Sequence, residues 1–79
     1  MKDIIVYTKD GCPYCEKIKQ FFNYLKTPYE VKNLNENFTK EEFYDMFGEG
    51  STFPQVIIDN EKRGGCVDTI KYLKSENII

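Results

Sequence analysis

The sequence predicts an α/β fold, a four-stranded mixed sheet flanked by three helices in the order βαβαββα. Three observations predict it. Ile4-Ile5-Val6-Tyr7 is a continuous β-favouring run, as suits a central strand buried on both faces. Ile18, Phe21, Phe22 and Leu25 then recur at i, i+3, i+4 and i+7, one apolar helical stripe. An alternating run at residues 29–34 follows that helix directly, so a right-handed parallel βαβ unit is the default.

The elements follow in order. Thr8-Lys9-Asp10-Gly11 reads as a loop, and Pro13 suits a first helical position, where its missing N–H costs nothing. Glu16, Lys17, Lys19, Gln20, Asn23 and Lys26 fall mostly on the solvent side of this helix, and Thr27-Pro28 is expected to end it. The second strand sets Tyr29, Val31 and Asn33 against Glu30, Lys32 and Leu34. Thr39-Lys40-Glu41-Glu42 is a capping box, with Phe38 and Phe43 at the staple positions around it. Phe43, Met46 and Phe47 give the inward face of this short helix, and Gly48 is its stop. A flexible connector, Gly48-Glu49-Gly50-Ser51-Thr52, leads to Phe53-Pro54 and a third strand, Gln55-Val56-Ile57-Ile58. Asp59-Asn60-Glu61 turns the chain into a weak fourth strand at Lys62-Arg63, whose charges suit a sheet edge. Gly64-Gly65 is a second break, and residues 67–75 read as a last helix with Ile70 and Leu73 or Tyr72 inward. This is the thioredoxin-like arrangement.

Length and composition narrow the function. The 79 residues are expected to form one domain, 1–79, with six Phe and six Tyr supplying much of a limited core. A formal charge of −2 without a basic patch argues against nucleic acid as a partner. No apolar run is long enough for a bilayer, so no membrane partner is expected. Met1-Lys2-Asp3 passes straight into a run too short for a signal-peptide core, which reads as cytoplasmic, as would a chain trimmed of its leader. With three Cys and no His, neither a disulfide framework nor a four-ligand Cys/His zinc site is expected within one chain. The usual neutral-pH general base is absent too, so chemistry must run through sulfur, Lys, Tyr or carboxylate.

Cys12-Pro13-Tyr14-Cys15 could be half a metal site, two core cysteines or a redox pair. In an intracellular chain opening with βαβ, the redox reading is favoured. Cys12 lies just before a helix start, where unpaired amides and the positive dipole end favour thiolate over thiol. Lys9 adds positive charge from the loop. Cys15, one turn inside the helix, receives less of that field. The pair is therefore expected to divide into an exposed attacker, Cys12, and a sheltered resolver, Cys15.

Here a resemblance becomes specific. Residues 7–15, Tyr-Thr-Lys-Asp-Gly-Cys-Pro-Tyr-Cys, resemble the active-site segment of dithiol glutaredoxins of small bacterial or phage type. Thioredoxins usually carry Gly-Pro inside the motif. Thr52-Phe53-Pro54 is similar to the family's Thr-Val-Pro, whose proline is cis, and Gly64-Gly65-Cys66-Val67-Asp68 resembles its Gly-Gly-x-x-Asp loop. The likeness runs over nearly the whole chain.

The resemblance implies a glutathione groove, with glutathione as co-substrate and no tightly bound cofactor or metal. Lys9 would attract the glycine carboxylate, and the Phe53 backbone beside cis Pro54 would pair with the cysteinyl part as a strand does. Thr52 belongs to that segment. Asp68 and the Gly64-Gly65 loop, with Cys66 beside them, would hold the γ-glutamyl end, with Asp68 on its ammonium and the helix-start amides on its carboxylate. Tyr14 would pack beside the ligand. Phe53 in place of Val is expected to narrow the groove, and Arg63 in place of an apolar residue to fray the fourth strand or turn outward. Plainer readings stand beside these. Lys9 also fits a solvated surface lysine, Asp68 a helix-start charge, and Pro54 an ordinary turn. Cys66 reads more simply as a small residue beside the site than as a third reactive thiol. Lys17 and Lys19 fit a solvated face, and the Phe residues at 21, 22, 38, 43 and 47 fit core.

The expected activity is thiol–disulfide exchange through Cys12, with Cys15 resolving and glutathione restoring the dithiol. The chain is expected to act as a monomer on disulfide-containing or glutathionylated proteins, with ribonucleotide reductase a partner by resemblance only. One rival is a thioredoxin-like donor reduced by a flavoprotein reductase. Another is a dimer holding a [2Fe–2S] centre through two Cys12 and two glutathiones, which Pro13 disfavours by stiffening the loop.

Overall fold

Four strands, β1 (Ile4–Thr8), β2 (Glu30–Asn33), β3 (Gln55–Ile58) and β4 (Glu61–Gly64), make one sheet in the order β2-β1-β3-β4 in the computed structural model. Three helices, α1 (Pro13–Tyr24), α2 (Lys40–Phe47) and α3 (Cys66–Ser75), complete the expected βαβαββα order. The structure describes residues 3–77; Met1 and Lys2, on which the expectation about a signal peptide partly rests, lie outside the described residues. No described helix is long and apolar enough to cross a membrane.

β1 runs parallel to β2 and antiparallel to β3, so the first three elements are the parallel βαβ unit that the sequence predicts. The sheet is covered on both faces. Ile4 and Val6 of β1 join Val56, Ile58, Ile18, Phe22 and Leu73 in one apolar cluster against α1 and α3. Tyr7 points the other way, into a second cluster with Phe38 and Phe43 beside α2. Alternate residues of one central strand thus feed two layers, which is why β1 lacks a polar face.

Boundaries differ from expectation in five places. β2 spans Glu30–Asn33 rather than residues 29–34, and Leu34 makes only an isolated bridge to Phe38. Thr8 is the last residue of β1 rather than a loop residue, and its hydroxyl reaches Asn33 Oδ1 at 2.6 Å. α1 stops at Tyr24, before Thr27-Pro28, because Lys26 takes a left-handed φ of 56°. Thr27 N–H then donates to the Phe22 carbonyl and Lys26 N–H to that of Asn23, a Schellman closure built on a lysine where glycine is usual. Glu61 belongs to β4, because Asp59 and Asn60, with φ of 51° and 69°, complete a two-residue hairpin turn. α3 starts at Cys66 rather than Val67.

Other signals hold as read. The Thr39 hydroxyl accepts from Glu42 N–H at 3.1 Å, and Glu42 Oε1 accepts from Thr39 N–H at 2.9 Å. Phe38 stacks on Phe43 with centroids 5.8 Å apart, and Gly48, with φ 101°, ends α2.

β4 is an edge strand, and Arg63 neither frays it nor swings free. Val56 faces Gly64 and Ile57 faces Lys62, which leaves Arg63 as the extra residue of a β-bulge. Its guanidinium lies 3.8 Å from the Tyr72 ring centroid and reaches Glu61 Oε2 at 2.5 Å.

Candidate active site

Cys12 occupies the N-cap of α1, in extended backbone, with Pro13 at the first helical position. Gly11, at φ +70°, supplies the left-handed step that brings the chain out of β1 into this cap. The Cys15 amide donates to Cys12 Sγ at 3.2 Å, and the Cys12 thiol faces the Phe53 carbonyl at 3.8 Å. The sulfur therefore takes the place that a Ser or Asp oxygen fills in an ordinary cap.

The expected exposed attacker needs correcting. Cys12 is only 8% exposed, because its sulfur turns back over the helix start toward the Cys15 amide and the Phe53 carbonyl. It still borders an open cleft of about 550 Å³ shared with Lys9, Lys40 and Phe53. Cys15 is the more sheltered of the two, at 0% exposed. Burial first, then its hydrogen-bonded contact with Cys12, pushes the Cys15 thiol up to about 12, although the Lys9 backbone works in the opposite direction. Cys66, also buried, has its thiol pushed up by burial.

A second hollow, of about 260 Å³, lies on the far side of Phe53. Tyr14, Thr52, Phe53, Pro54, Gly65, Cys66 and Asp68 all line it. Lys9 does not; it lies with Cys12 on the other cleft, and Thr52 and Phe53 are common to both. The Phe53–Pro54 bond is cis. The Phe53 ring stacks on Phe43 in the second core cluster, centroids 4.1 Å apart, while Phe53 also lines the hollow. Tyr14, at 54% exposed, and Val67, at 57%, stand on the rim. The N-cap of α3, Gly65, offers no side-chain cap, leaving the first amides of that helix without an internal partner.

Gly64 belongs to the Gly-Gly loop that the resemblance marks, but the reason for glycine there shows only in the structure. Its φ is +85°, and a Cβ there would meet Asp68 Oδ2 at 2.9 Å, so the Asp68 carboxylate sits where only glycine leaves room. Sequence reasoning missed Lys40, Tyr44 and Ser51 on the Cys12 cleft, because they belong to α2 and its connector and carry no local signal.

The glutaredoxin family profile matches residues 4–62. Glutaredoxin 1 of Rickettsia prowazekii is 44% identical over 68 residues, covering 82% of this chain and 70% of that protein. Three further Rickettsia relatives are matched over only 64% of their own length. Among solved structures, Francisella tularensis glutaredoxin 1 complexed with cacodylate superposes with a TM-score of 0.78 at 28% identity, over 96% of this chain and 95% of that one. A buckwheat glutaredoxin–glutathione complex has the same fold, with a TM-score of 0.78 at 23% identity over 92% of this chain and 69% of that one.

Proposed function

The chain belongs to the glutaredoxin family of thiol–disulfide oxidoreductases, and from that premise we propose a glutathione-dependent exchange carried by Cys12 and resolved by Cys15. The observation that carries it is the Cys15 amide on Cys12 Sγ at 3.2 Å, a helix-start donor aimed at a sulfur that borders an open cleft.

The Cys12 thiolate attacks one sulfur of a substrate disulfide. A bond forms between Cys12 and that sulfur, and the other sulfur leaves as a thiolate. For a protein disulfide, the Cys15 thiolate then attacks Cys12 Sγ and releases the substrate's second thiolate, leaving a Cys12–Cys15 disulfide. Two glutathiones restore the dithiol and depart as oxidised glutathione. Cys15 is held protonated first by burial and next by Cys12. A Cys12 tied up in a mixed disulfide carries no charge, so one of these constraints lifts when the resolver is needed.

Glutathione would lie along Thr52, Phe53 and Pro54, with its γ-glutamyl end at Gly65, Cys66 and Asp68 and Tyr14 at its side. Its glycine carboxylate would pass Phe53 toward Lys9. Two features support this placement. Seven of the eight residues line one hollow, and the helix that begins there is uncapped. The buckwheat relative is seen in complex with glutathione, which agrees with this ligand. We further propose a cytoplasmic monomer acting on protein disulfides and glutathionylated proteins.

The test is mass spectrometry of the reduced Cys15→Ser protein after mixing with oxidised glutathione. The expected result is one glutathione on Cys12. An adduct only on Cys66, or none, would overturn the assignment.

A further inference from the structure

Phe53 makes three side-chain contacts that the exchange itself does not require. Its ring stacks on the fully buried Phe43, with planes 11° apart, and more distantly on Phe38, centroids 6.2 Å apart. The Lys9 ammonium lies over the same ring, 5.4 Å from the centroid, within reach of a cation–π attraction. Phe43 covers one face of that ring, so the ammonium takes the other. Lys9 has no carboxylate partner among the described residues; the ion pairs there are formed by Lys19, Lys32 and Arg63. The backbone of the same Phe53 faces the nucleophile, its carbonyl 3.8 Å from Cys12 Sγ. Lys9 and Cys12 border one cleft, with Phe53 forming part of its wall.

A lysine side chain is long and strongly hydrated, and with no ion pair it would otherwise sample many rotamers. An aromatic face pinned from behind restricts that sampling. A valine at position 53 would present no such face. We propose that Phe53 is a positioning residue whose ring, braced by Phe43, holds the Lys9 ammonium beside Cys12, so that the nucleophile meets anionic disulfide partners in a positive field. This deepens the reading of Cys12 as the nucleophile and rests on it.

The test uses two alkylating reagents of similar size and opposite demand, anionic iodoacetate and neutral iodoacetamide. The parent is the Cys15→Ser, Cys66→Ser protein, in which Cys12 is the remaining thiol. The readout is the ratio of the iodoacetate rate to the iodoacetamide rate at one pH. Lys9→Met is expected to lower the ratio by about twofold to fivefold, the range of an exposed charge contact. Phe53→Val is expected to lower it comparably, the double variant no further than Lys9→Met, and Phe53→Tyr not at all. Phe53→Leu, which keeps apolar bulk against Phe43, repeats the measurement where Val unsettles the fold.

A ratio unchanged in Lys9→Met overturns the proposal. So does an unchanged ratio in Phe53→Val with both rates slowed alike, the mark of a purely structural role, and so does a double variant showing the product of the two losses. A parent whose Cys12 resists both reagents at neutral pH removes the nucleophile reading, and this proposal with it.

Discussion

The Asp68 carboxylate closes over Gly64 so tightly that a methyl group on that glycine would stand 2.9 Å from Oδ2 and 3.1 Å from the Asp68 Cβ. At Gly65 the corresponding atom meets only the Pro54 carbonyl, at 3.5 Å, an ordinary contact. Gly64→Ala is therefore expected to cost roughly 1–3 kcal/mol from backbone strain and displaced Asp68. It should also raise the KM for glutathione. Gly65→Ala should cost less, about 0.5–1 kcal/mol, the loss of a glycine at the α3 N-cap. Equal midpoints for the two variants would contradict the geometry.

Cys12→Ser is expected to remove all disulfide exchange, since no other thiol occupies a helix cap. Cys15→Ser should retain reduction of glutathionylated substrates while losing the route through a Cys12–Cys15 disulfide. Assays with a glutathionylated peptide and with a protein disulfide separate the two outcomes.

The elevated Cys15 thiol makes a pH prediction. The folded protein holds this proton up to about 12, against 9.0 for an unperturbed thiol. Below the lower value both states are protonated and the group has no effect on the slope. Between the two, the unfolded chain gives up the proton first, so stability falls as pH rises, by up to about 1.4 kcal/mol per pH unit. Subtracting the Cys15→Ser unfolding curve from that of the reduced wild type isolates this component. A flat difference from pH 9 upward would refute it.

Lys26 holds a left-handed backbone without being glycine. Lys26→Gly is expected to stabilise the protein by about 0.5–1 kcal/mol, because the strain relieved exceeds the added chain entropy. The denaturant midpoint should rise with an unchanged slope.

The capping box at Thr39 offers a control far from the cysteines in sequence. Thr39→Ala is expected to cost about 1 kcal/mol through loss of the bond to Glu42 N–H, which thermal unfolding would register.

The parts of the fold legible in the sequence are those that local chemistry encodes. The run at Ile4, the stripe from Ile18, the Thr39 box and the Pro13 start all depend on neighbours within a few positions. The α1 end was misread because proline is a loud signal and a left-handed lysine a silent one. The bulge at Arg63 was illegible for another reason, since a ladder's register depends on the partner strand. In the candidate site, the place of the cysteine pair at a helix start and the gathering of Tyr14, Pro54 and Asp68 around one hollow were legible through spacing and resemblance. The burial of Cys12 and the split between Lys9 and the groove were not. Both depend on how Phe53 packs against α2, some ten residues earlier in the chain.

The extra residue at Arg63 has a consequence for how this chain tolerates change in length. Between the hairpin turn and the glycine pair, the count of residues decides whether Gly64 arrives opposite Val56. A substitution at position 63 alters a side chain on Tyr72, whereas a deletion there would regularise the ladder and carry the Asp68 cradle out of step with Pro54. Length variants within this hairpin should therefore be selected against more severely than replacements at the same position.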